Sequence, residues 1–162
     1  MASGTFNAAK GKVAYYAANL GAGRIRYLML KAVEAETTLR DRTNLATSGT
    51  GLFVAGSGNT ECDFTNYARG TLTGLSSTPD NTNDWMDVLA SLPGITNAGG
   101  GVNNTIAKVI TYYDPASNDN VTNAILLTYH DLINPTTGAA AATSGVTLTI
   151  QNPTTGGFFR AQ

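Results

Sequence analysis

The strongest strand pattern in this 162-residue sequence is Asn104-Thr105-Ile106-Ala107-Lys108-Val109-Ile110-Thr111-Tyr112-Tyr113. Successive residues of a strand face opposite sides of a sheet, and both sets here are rich in β-branched or aromatic side chains. The polar run from Asp114 to Asn123 separates this stretch from a second apolar run, Ala124 to Leu132. The two runs predict an antiparallel hairpin with a long tip.

The composition also favours a β protein. The chain has 24 threonines, 15 asparagines and 18 glycines, whereas charged residues make up only 13% of it, about half the usual share of roughly 25%. Threonine favours strands, and asparagine and glycine favour tight turns. A surface poor in charge is typical of a protein that packs against neighbours rather than of a freely dispersed enzyme.

The charge balance argues against two classes of partner. The net charge is −1, and neither sign forms a long run, so we expect no nucleic-acid partner and no polybasic membrane contact. The longest mostly apolar run, Tyr27 to Val33, is too short to cross a bilayer. No basic segment followed by an apolar block precedes residue 12, so we expect synthesis in the cytoplasm without a secretory signal.

The sequence predicts one domain, residues 12–162, preceded by an extended arm, residues 1–11, whose only aromatic residue is Phe6. Residues 12–17 are interpreted as a short strand that pairs, around a glycine-rich turn, with an apolar strand over residues 24–33. A short helix is expected within residues 34–46.

The stretch Glu61-Cys62-Asp63-Phe64-Thr65-Asn66-Tyr67-Ala68-Arg69-Gly70-Thr71-Leu72 has the sharpest charge contrast in the middle of the chain. We interpret it as a turn at Asn66 that leads into a strand from Tyr67 to Thr73. Tyr67 and Arg69 then share one face, where they are predicted to brace the fold or a subunit contact.

The remaining sequence alternates strands and turns. A turn cluster is expected at 76–83 and strands at 84–89, 146–150 and 158–160. Roughly eight strands and at most one short helix predict a mainly β fold, an antiparallel β-sandwich or barrel-like domain.

The sequence gives little support for a catalytic site. His130 is the only histidine, it lies within an apolar strand, and no nucleophile elbow accompanies it, so a structural role is expected. Cys62 lies between Glu61 and Asp63, and these two carboxylates should raise the pKa of its thiol, the wrong direction for a nucleophile. One cysteine also excludes an intrachain disulfide.

Metal and cofactor sites are not predicted either. Two loops rich in Asp and Asn side chains, 80–84 and 114–120, offer oxygen atoms to calcium but lack the ligand spacing of an EF-hand, so they are interpreted as turns. Gly99-Gly100-Gly101 precedes a strand rather than a helix, so it lacks the geometry of a phosphate-binding loop. We expect no catalytic residue, no metal and no cofactor.

Aromatic residues supply the candidate interface. Three adjacent pairs lie on predicted strands, and in each pair one ring should face the core and the other should face outward. An outward ring on a charge-poor surface is either an ordinary exposed aromatic or an interface anchor. The predicted interface residues are Phe6, Tyr15, Tyr16, Tyr67, Arg69, Trp85, Tyr113 and Phe159.

Several of these segments carry a family resemblance. Phe64-Thr65-Asn66-Tyr67-Ala68-Arg69-Gly70-Thr71-Leu72 resembles the TNYAR-x-TL signature of small structural proteins of tailed bacteriophages. The similarity spans nearly the whole chain. It continues through the segments 9–16, 80–84, 98–108, 112–114, 127–131 and 157–161.

The resemblance implies a virion structural protein without enzymatic activity. The leading hypothesis is a capsid decoration (cement) or minor capsid protein on the outer shell, which binds the major capsid protein and forms a homo-oligomer, with a trimer expected at local symmetry axes. Residues 2–12 would then reach along a neighbouring subunit. The alternative is a tail-tip or fibre component that binds a host receptor, with Trp85 and outward tyrosines stacking on sugar. A hydrolytic or calcium-dependent virion enzyme is the least favoured hypothesis.

Overall fold

The computed structural model describes residues 4–82, 85–118, 121–132, 139–148 and 159–161, without the side chains of Asp80, Trp85, Arg160 and Ala161. The predicted mainly β fold with antiparallel sheets is confirmed. The strands of the described residues are β1 (Gly4–Thr5), β2 (Arg24–Ala32), β3 (Thr60–Glu61), β4 (Gly70–Thr71), β5 (Thr73–Asp80), β6 (Trp85–Ser91), β7 (Ile95–Ala98), β8 (Lys108–Asp114), β9 (Ile125–His130), β10 (Val146–Leu148) and β11 (Phe159–Ala161). The α-helices are α1 (Val13–Ala18) and α2 (Glu36–Leu39), and a 3₁₀ turn covers Asn7–Ala9.

A central sheet is built around β8. Its strand order is β1-β9-β8-β2-β3, and β4 also pairs with β2. The β8–β9 pairing, from Val109 opposite His130 to Tyr113 opposite Ile125, confirms the predicted hairpin. A second sheet has the order β11-β6-β5, and β7 and β10 form a separate two-stranded ribbon.

Both faces of the central sheet are buried. Five consecutive residues of β8, from Lys108 to Tyr112, are buried, and so is the run from Tyr27 to Leu30 in β2. A strand whose two faces are both covered needs apolar side chains at odd and even positions alike. This requirement explains why both sequences are nearly continuous apolar runs instead of alternating ones.

The second sheet and α1 cover one face. Val88 and Ala90 of β6 share a core with Met29 and Val109 of the central sheet, and α1 adds Val13 and Ala17 to it. The chain passes from the central sheet to the second sheet at buried Leu72, whose N–H donates to the Ile25 carbonyl at 2.9 Å. Strands that change sheets at such corners are known from packed β-sheets. The arrangement is consistent with the predicted sandwich or barrel-like domain.

The N-terminal segment, α2 and the following loop cover the opposite face. Phe6, Leu39, Leu45 and Leu52 pack there against Leu28, and each of them is buried. Residues 4–9 therefore differ from the free arm expected from their small polar composition. β1 pairs with β9, and the Phe6 ring enters the core because its apolar surface is removed from water there.

Three sequence predictions of local structure are wrong. The stretch 67–73 is not one strand, because β4 covers only Gly70–Thr71 and residues 67–69 precede it without regular structure. Residues 13–18 form a helix rather than a strand, because Val13 and Ala17 lie four positions apart and bury one helical face. The described residues consequently include two short α-helices, whereas the sequence predicts at most one. Residues 73–80, expected to contain a turn cluster, form β5. Pro79 is tolerated in that strand because β5 lies at the edge of its sheet.

Burial of both faces makes adjacent residues of β2 equally sensitive to truncation. We expect Leu28→Ala and Met29→Ala each to lower the free energy of unfolding by about 2–5 kcal/mol, since each change leaves a cavity on a different face. Leu89→Ala, at a leucine that is 41% exposed, should cost less than about 1 kcal/mol. Chemical denaturation of the three variants checks this. A tolerant Leu28 or Met29 would mean that one face is open to water.

Candidate interaction surface

The predicted pair Tyr67 and Arg69 meets at a carboxylate. Glu61 accepts hydrogen bonds from the Tyr67 hydroxyl at 2.7 Å and from both Nε and Nη2 of Arg69, at 2.8 and 2.7 Å. The Tyr67 hydroxyl also accepts the Met29 N–H at 3.0 Å. Burial, together with Glu61, raises the pKa of Tyr67 well above its usual value. Tyr67 therefore links β3 to β2, and Arg69 is held to β3 by its ion pair with Glu61. Both contacts brace the fold, one of the two roles that the sequence predicts for this pair.

A second group of polar contacts holds the same stretch to the glycine-rich loop. Asn104 Oδ1 accepts the N–H groups of Asp63 and Phe64 at 2.8 and 3.1 Å, and its Nδ2 donates to the Asp63 carboxylate at 3.0 Å. Thr65 Oγ1 accepts the Val102 N–H at 2.9 Å, and the Val102 carbonyl accepts the Thr65 N–H at 3.0 Å. These contacts hold the glycine-rich loop against the stretch that follows β3.

The Cys62 thiol is inert. Burial raises its pKa to about 12; nearby Lys31 opposes this shift, whereas Glu61 and Asp63 add to it. The direction expected from the two carboxylates is confirmed, although burial is the larger cause. A thiol of this kind remains protonated at neutral pH and is a poor nucleophile.

His130 lies in a buried polar row on β8 and β9. Its Nε2 is 2.8 Å from Thr128 Oγ1, which is 2.6 Å from Thr111 Oγ1, and Lys108 forms an ion pair of 2.7 Å with Asp131 close by. Burial first, and then Lys108, lowers the pKa of His130 to about 4, whereas Asp131 opposes the shift. The imidazole is therefore neutral at pH 7.

No group of three His, Cys, Asp or Glu side chains that could hold a metal ion occurs in the described part of the chain. Of the two loops considered for calcium, Asn83, Asp84, Asp119 and Asn120 lie outside the described residues. Asp114 is buried and forms an ion pair with Arg26 at 3.6 Å.

Three predicted interface residues form a tyrosine ladder, Tyr15, Tyr16 and Tyr113. The rings of Tyr16 and Tyr113 stack with their centroids 4.7 Å apart, and Tyr15 meets Tyr16 edge-on at 5.6 Å. The Tyr113 hydroxyl donates to the Leu20 carbonyl at 3.0 Å. Tyr15 is 60% exposed, the largest exposure of an aromatic ring among the described residues. The ladder thus presents a ring to solvent on a rigid support.

A cleft of about 410 Å³ lies beside the ladder, lined by residues 20–25 together with Thr71, Leu72 and Leu75. Arg24 is the charged residue among the described residues that line it. Gly23 is needed where the loop meets the ladder, because a Cβ atom there would come within 2.6 Å of the Tyr113 hydroxyl. The ladder and the cleft together form the candidate interaction surface.

Phe6 and Phe159, two further predicted interface residues, are not part of this surface. Phe6 is fully buried and packs edge-on against Tyr129, with their ring centroids 5.3 Å apart. Phe159 is half-buried and packs against the core beneath the second sheet. The backbone of Trp85 belongs to β6, but its side chain lies outside the described residues.

Sequence reasoning missed the cleft residues Leu20 to Arg24. The available signal was Gly21-Ala22-Gly23, which was interpreted only as a hairpin turn. Positive φ at Gly21, +57°, marks a backbone conformation that other residues rarely adopt. Such a loop beside an arginine can present a binding surface as well as reverse the chain.

Comparisons of the chain with protein-family models, with curated proteins and with solved structures found no match. Among the described residues, no helix has the length and apolar character needed to cross a bilayer.

Removing the Asn104 side chain should loosen the bracing between the two loops. We expect Asn104→Ala to lower the free energy of unfolding by about 1–3 kcal/mol, since the Asp63 and Phe64 N–H groups lose their acceptor. Asn19→Ala, which removes one exposed bond to the Tyr15 carbonyl, should cost less than about 1 kcal/mol. Urea denaturation distinguishes the two, and equal costs would contradict the bracing role.

The low pKa of His130 predicts a pH-dependent stability. The unfolded chain binds a proton at this residue near pH 6.5, whereas the folded chain does so only near pH 4, so stability present above pH 6.5 is lost as the pH falls towards 4. The loss between pH 7 and pH 5 should be roughly 2 kcal/mol. His130→Gln should flatten this slope, as measured by denaturation at each pH. Parallel slopes would mean that His130 is not buried in its neutral form.

Proposed function

We propose that this chain is a virion structural protein of a tailed bacteriophage, a capsid decoration or minor capsid protein that stabilises the shell by bridging subunits. The observation that carries the proposal is the resemblance of residues 64–72 to a signature of such proteins, together with the further segments that extend it.

The geometry of these segments supports a structural role for them. The signature segment and the glycine-rich segment 98–108 hold each other through Thr65, Val102 and Asn104. Arg69 of the signature forms an ion pair with nearby Glu61, and neither residue is among those that line the cleft. These two segments therefore maintain the fold, whereas the resemblance segments 9–16 and 112–114 supply the three rings of the tyrosine ladder.

The mechanism is mechanical. Apolar and aromatic surface buried between neighbouring subunits stabilises a shell against internal pressure, as any ligand that binds only the assembled state does. Tyr15 is the best anchor for this contact, since a ring fixed by Tyr16 and Tyr113 loses little conformational freedom on binding. The partner in this proposal is the major capsid protein, and a trimer on the shell surface is the proposed assembly.

A second candidate is a tail-tip or fibre component that binds a host-surface glycan. The exposed ring of Tyr15 favours it, because sugars stack on aromatic faces and the Tyr113 end of the same ladder meets the cleft at Leu20. The two functions differ in their ligand, so binding to shells and binding to host cell wall separate them.

Tyr15→Ser tests the proposal. We expect the purified variant to bind particles that lack the protein at least about tenfold more weakly than the original chain, since an aromatic anchor typically contributes more than 1 kcal/mol. Its unfolding midpoint should change little, because the ring is exposed. Co-sedimentation with shells measures the binding.

Val121→Ser is the matched control. Val121 is 41% exposed, and its carbonyl accepts the N–H of Leu45, on the face of the central sheet opposite to α1. Its replacement should leave shell binding unchanged. Failure of the original chain to bind shells, combined with binding to host cell-wall polysaccharide that Tyr15→Ser abolishes, would favour the receptor-binding function instead. Deletion of residues 1–11 is a poor test, because it removes Phe6 from the core.

A further inference from the structure

Strand β5 presents an open edge. It spans eight residues, Thr73–Asp80, and pairs with β6 on one side. The strand order β11-β6-β5 leaves its other side without a strand among the described residues. It is also the longest edge strand in the described part of the chain. Such an edge offers a row of N–H and C=O groups to another strand.

Pro79 indicates which backbone groups point outward. Proline has no N–H, and within sheets its nitrogen faces the side that has no neighbouring strand. The register with β6 is continuous from Ser76 opposite Leu89 to Asp80 opposite Trp85. Because bonding alternates along an antiparallel strand, Ser77 also directs its N–H and C=O groups to the open side.

The edge carries few of the devices that prevent strand pairing. Charged side chains usually protect an edge, yet residues 73–79 contain none. Gly74, with φ +62° at the irregularity in the register, ends the regular stretch on one side, and Pro79 ends it on the other. The regular stretch therefore runs from Leu75 to Pro79, and Ser77 lies at its midpoint.

We propose that two copies of this chain pair antiparallel through β5, about a two-fold axis at Ser77. Ser77 of each copy then donates its N–H to the Ser77 carbonyl of the second copy. The carbonyl of Pro79 lies opposite the N–H of Leu75 in the second copy and accepts it. The result is one continuous sheet of six strands, β11-β6-β5 followed by its symmetry mate.

The side chains of the edge suit an identical partner. In this register Ser76 faces Thr78 of the second copy, so two small hydroxyl residues meet and no like charges approach each other. Ser76 and Thr78 are both exposed in the single chain. Leu89 of β6 lies opposite Ser76 and is 41% exposed. Its side chain becomes less exposed when the second strand is added. Because this edge is uncharged and its side chains are complementary to themselves, we infer that the strand that pairs with it is β5 of a second copy of the chain.

This contact is two-fold, whereas the proposed decoration role involves a three-fold contact, and it does not depend on that role. The two surfaces meet at Leu75, which also lines the cleft. It joins pairs of chains wherever the protein is concentrated.

Ser77→Pro in the full chain tests the pairing. The variant removes an N–H that points to the open side, so the fold should persist while the central pair of intermolecular bonds is lost. Sedimentation equilibrium over a wide concentration range should show a monomer–dimer equilibrium for the original chain. The dissociation constant of Ser77→Pro should be at least about tenfold higher. Ser77→Ala retains the N–H and should dimerise like the original chain. Circular dichroism checks that both variants are folded.

Amide exchange of the original chain provides a second measurement should Ser77→Pro not fold. The Ser77 amide should exchange more slowly as the concentration rises, whereas the amides of β8 should be unaffected. A monomer at every concentration with constant Ser77 exchange would overturn the proposal, as would a dimer or trimer insensitive to Ser77→Pro. Protection of the Ser77 amide only on addition of shells would also overturn it, because the edge would then take a strand of another protein.

Discussion

The burial of both faces of β2 and β8 is the constraint on which the rest of the structure depends. Two strands with apolar side chains at consecutive positions cannot leave either face in water without losing roughly 1.5–3 kcal/mol for each large side chain. One cover comes from the second sheet and α1, and the other from the N-terminal segment and α2. Short elements such as α2, which spans only four residues, are stable here because the sheet supplies their contacts.

The parts of the fold that could be predicted from sequence are those fixed by local pattern. The apolar runs of β2, β8 and β9 and the hairpin between the last two follow from residue type alone. The helix α1 could not be distinguished from a strand, because Val13 and Ala17 are in phase with both periods and only the tertiary core selects one. The strand β5 could not be predicted, because its serine, proline and threonine residues favour turns unless a neighbouring strand pairs with them.

The candidate site was predictable in its residue types but not in its grouping. Outward aromatic rings were expected, and Tyr15 is one. The stacking of Tyr16 on Tyr113 joins residues from α1 and β8, far apart in sequence, so no local pattern reveals it. Phe6 is predicted at an interface because its neighbours are small and polar, but its ring is buried in the core between the N-terminal segment and the central sheet. A bracing role for Tyr67 and Arg69 is predicted from a shared strand face, but the structure has no strand at residues 67–69, and the shared acceptor Glu61 is what brings the two side chains together.

The position of the N-terminal segment has a consequence for how the chain folds as it is synthesised. Gly4 pairs with Tyr129, and the Phe6 N–H donates to the Leu127 carbonyl at 3.0 Å, so the earliest residues described dock on one of the last large strands. Closing such a long loop costs conformational entropy before the contact returns any stability. During synthesis on the ribosome, Phe6 and one face of β2 therefore cannot be buried until β9 has emerged. The core beneath the N-terminal segment and α2 is completed late, and until then its apolar surface is accessible to other chains or to chaperones.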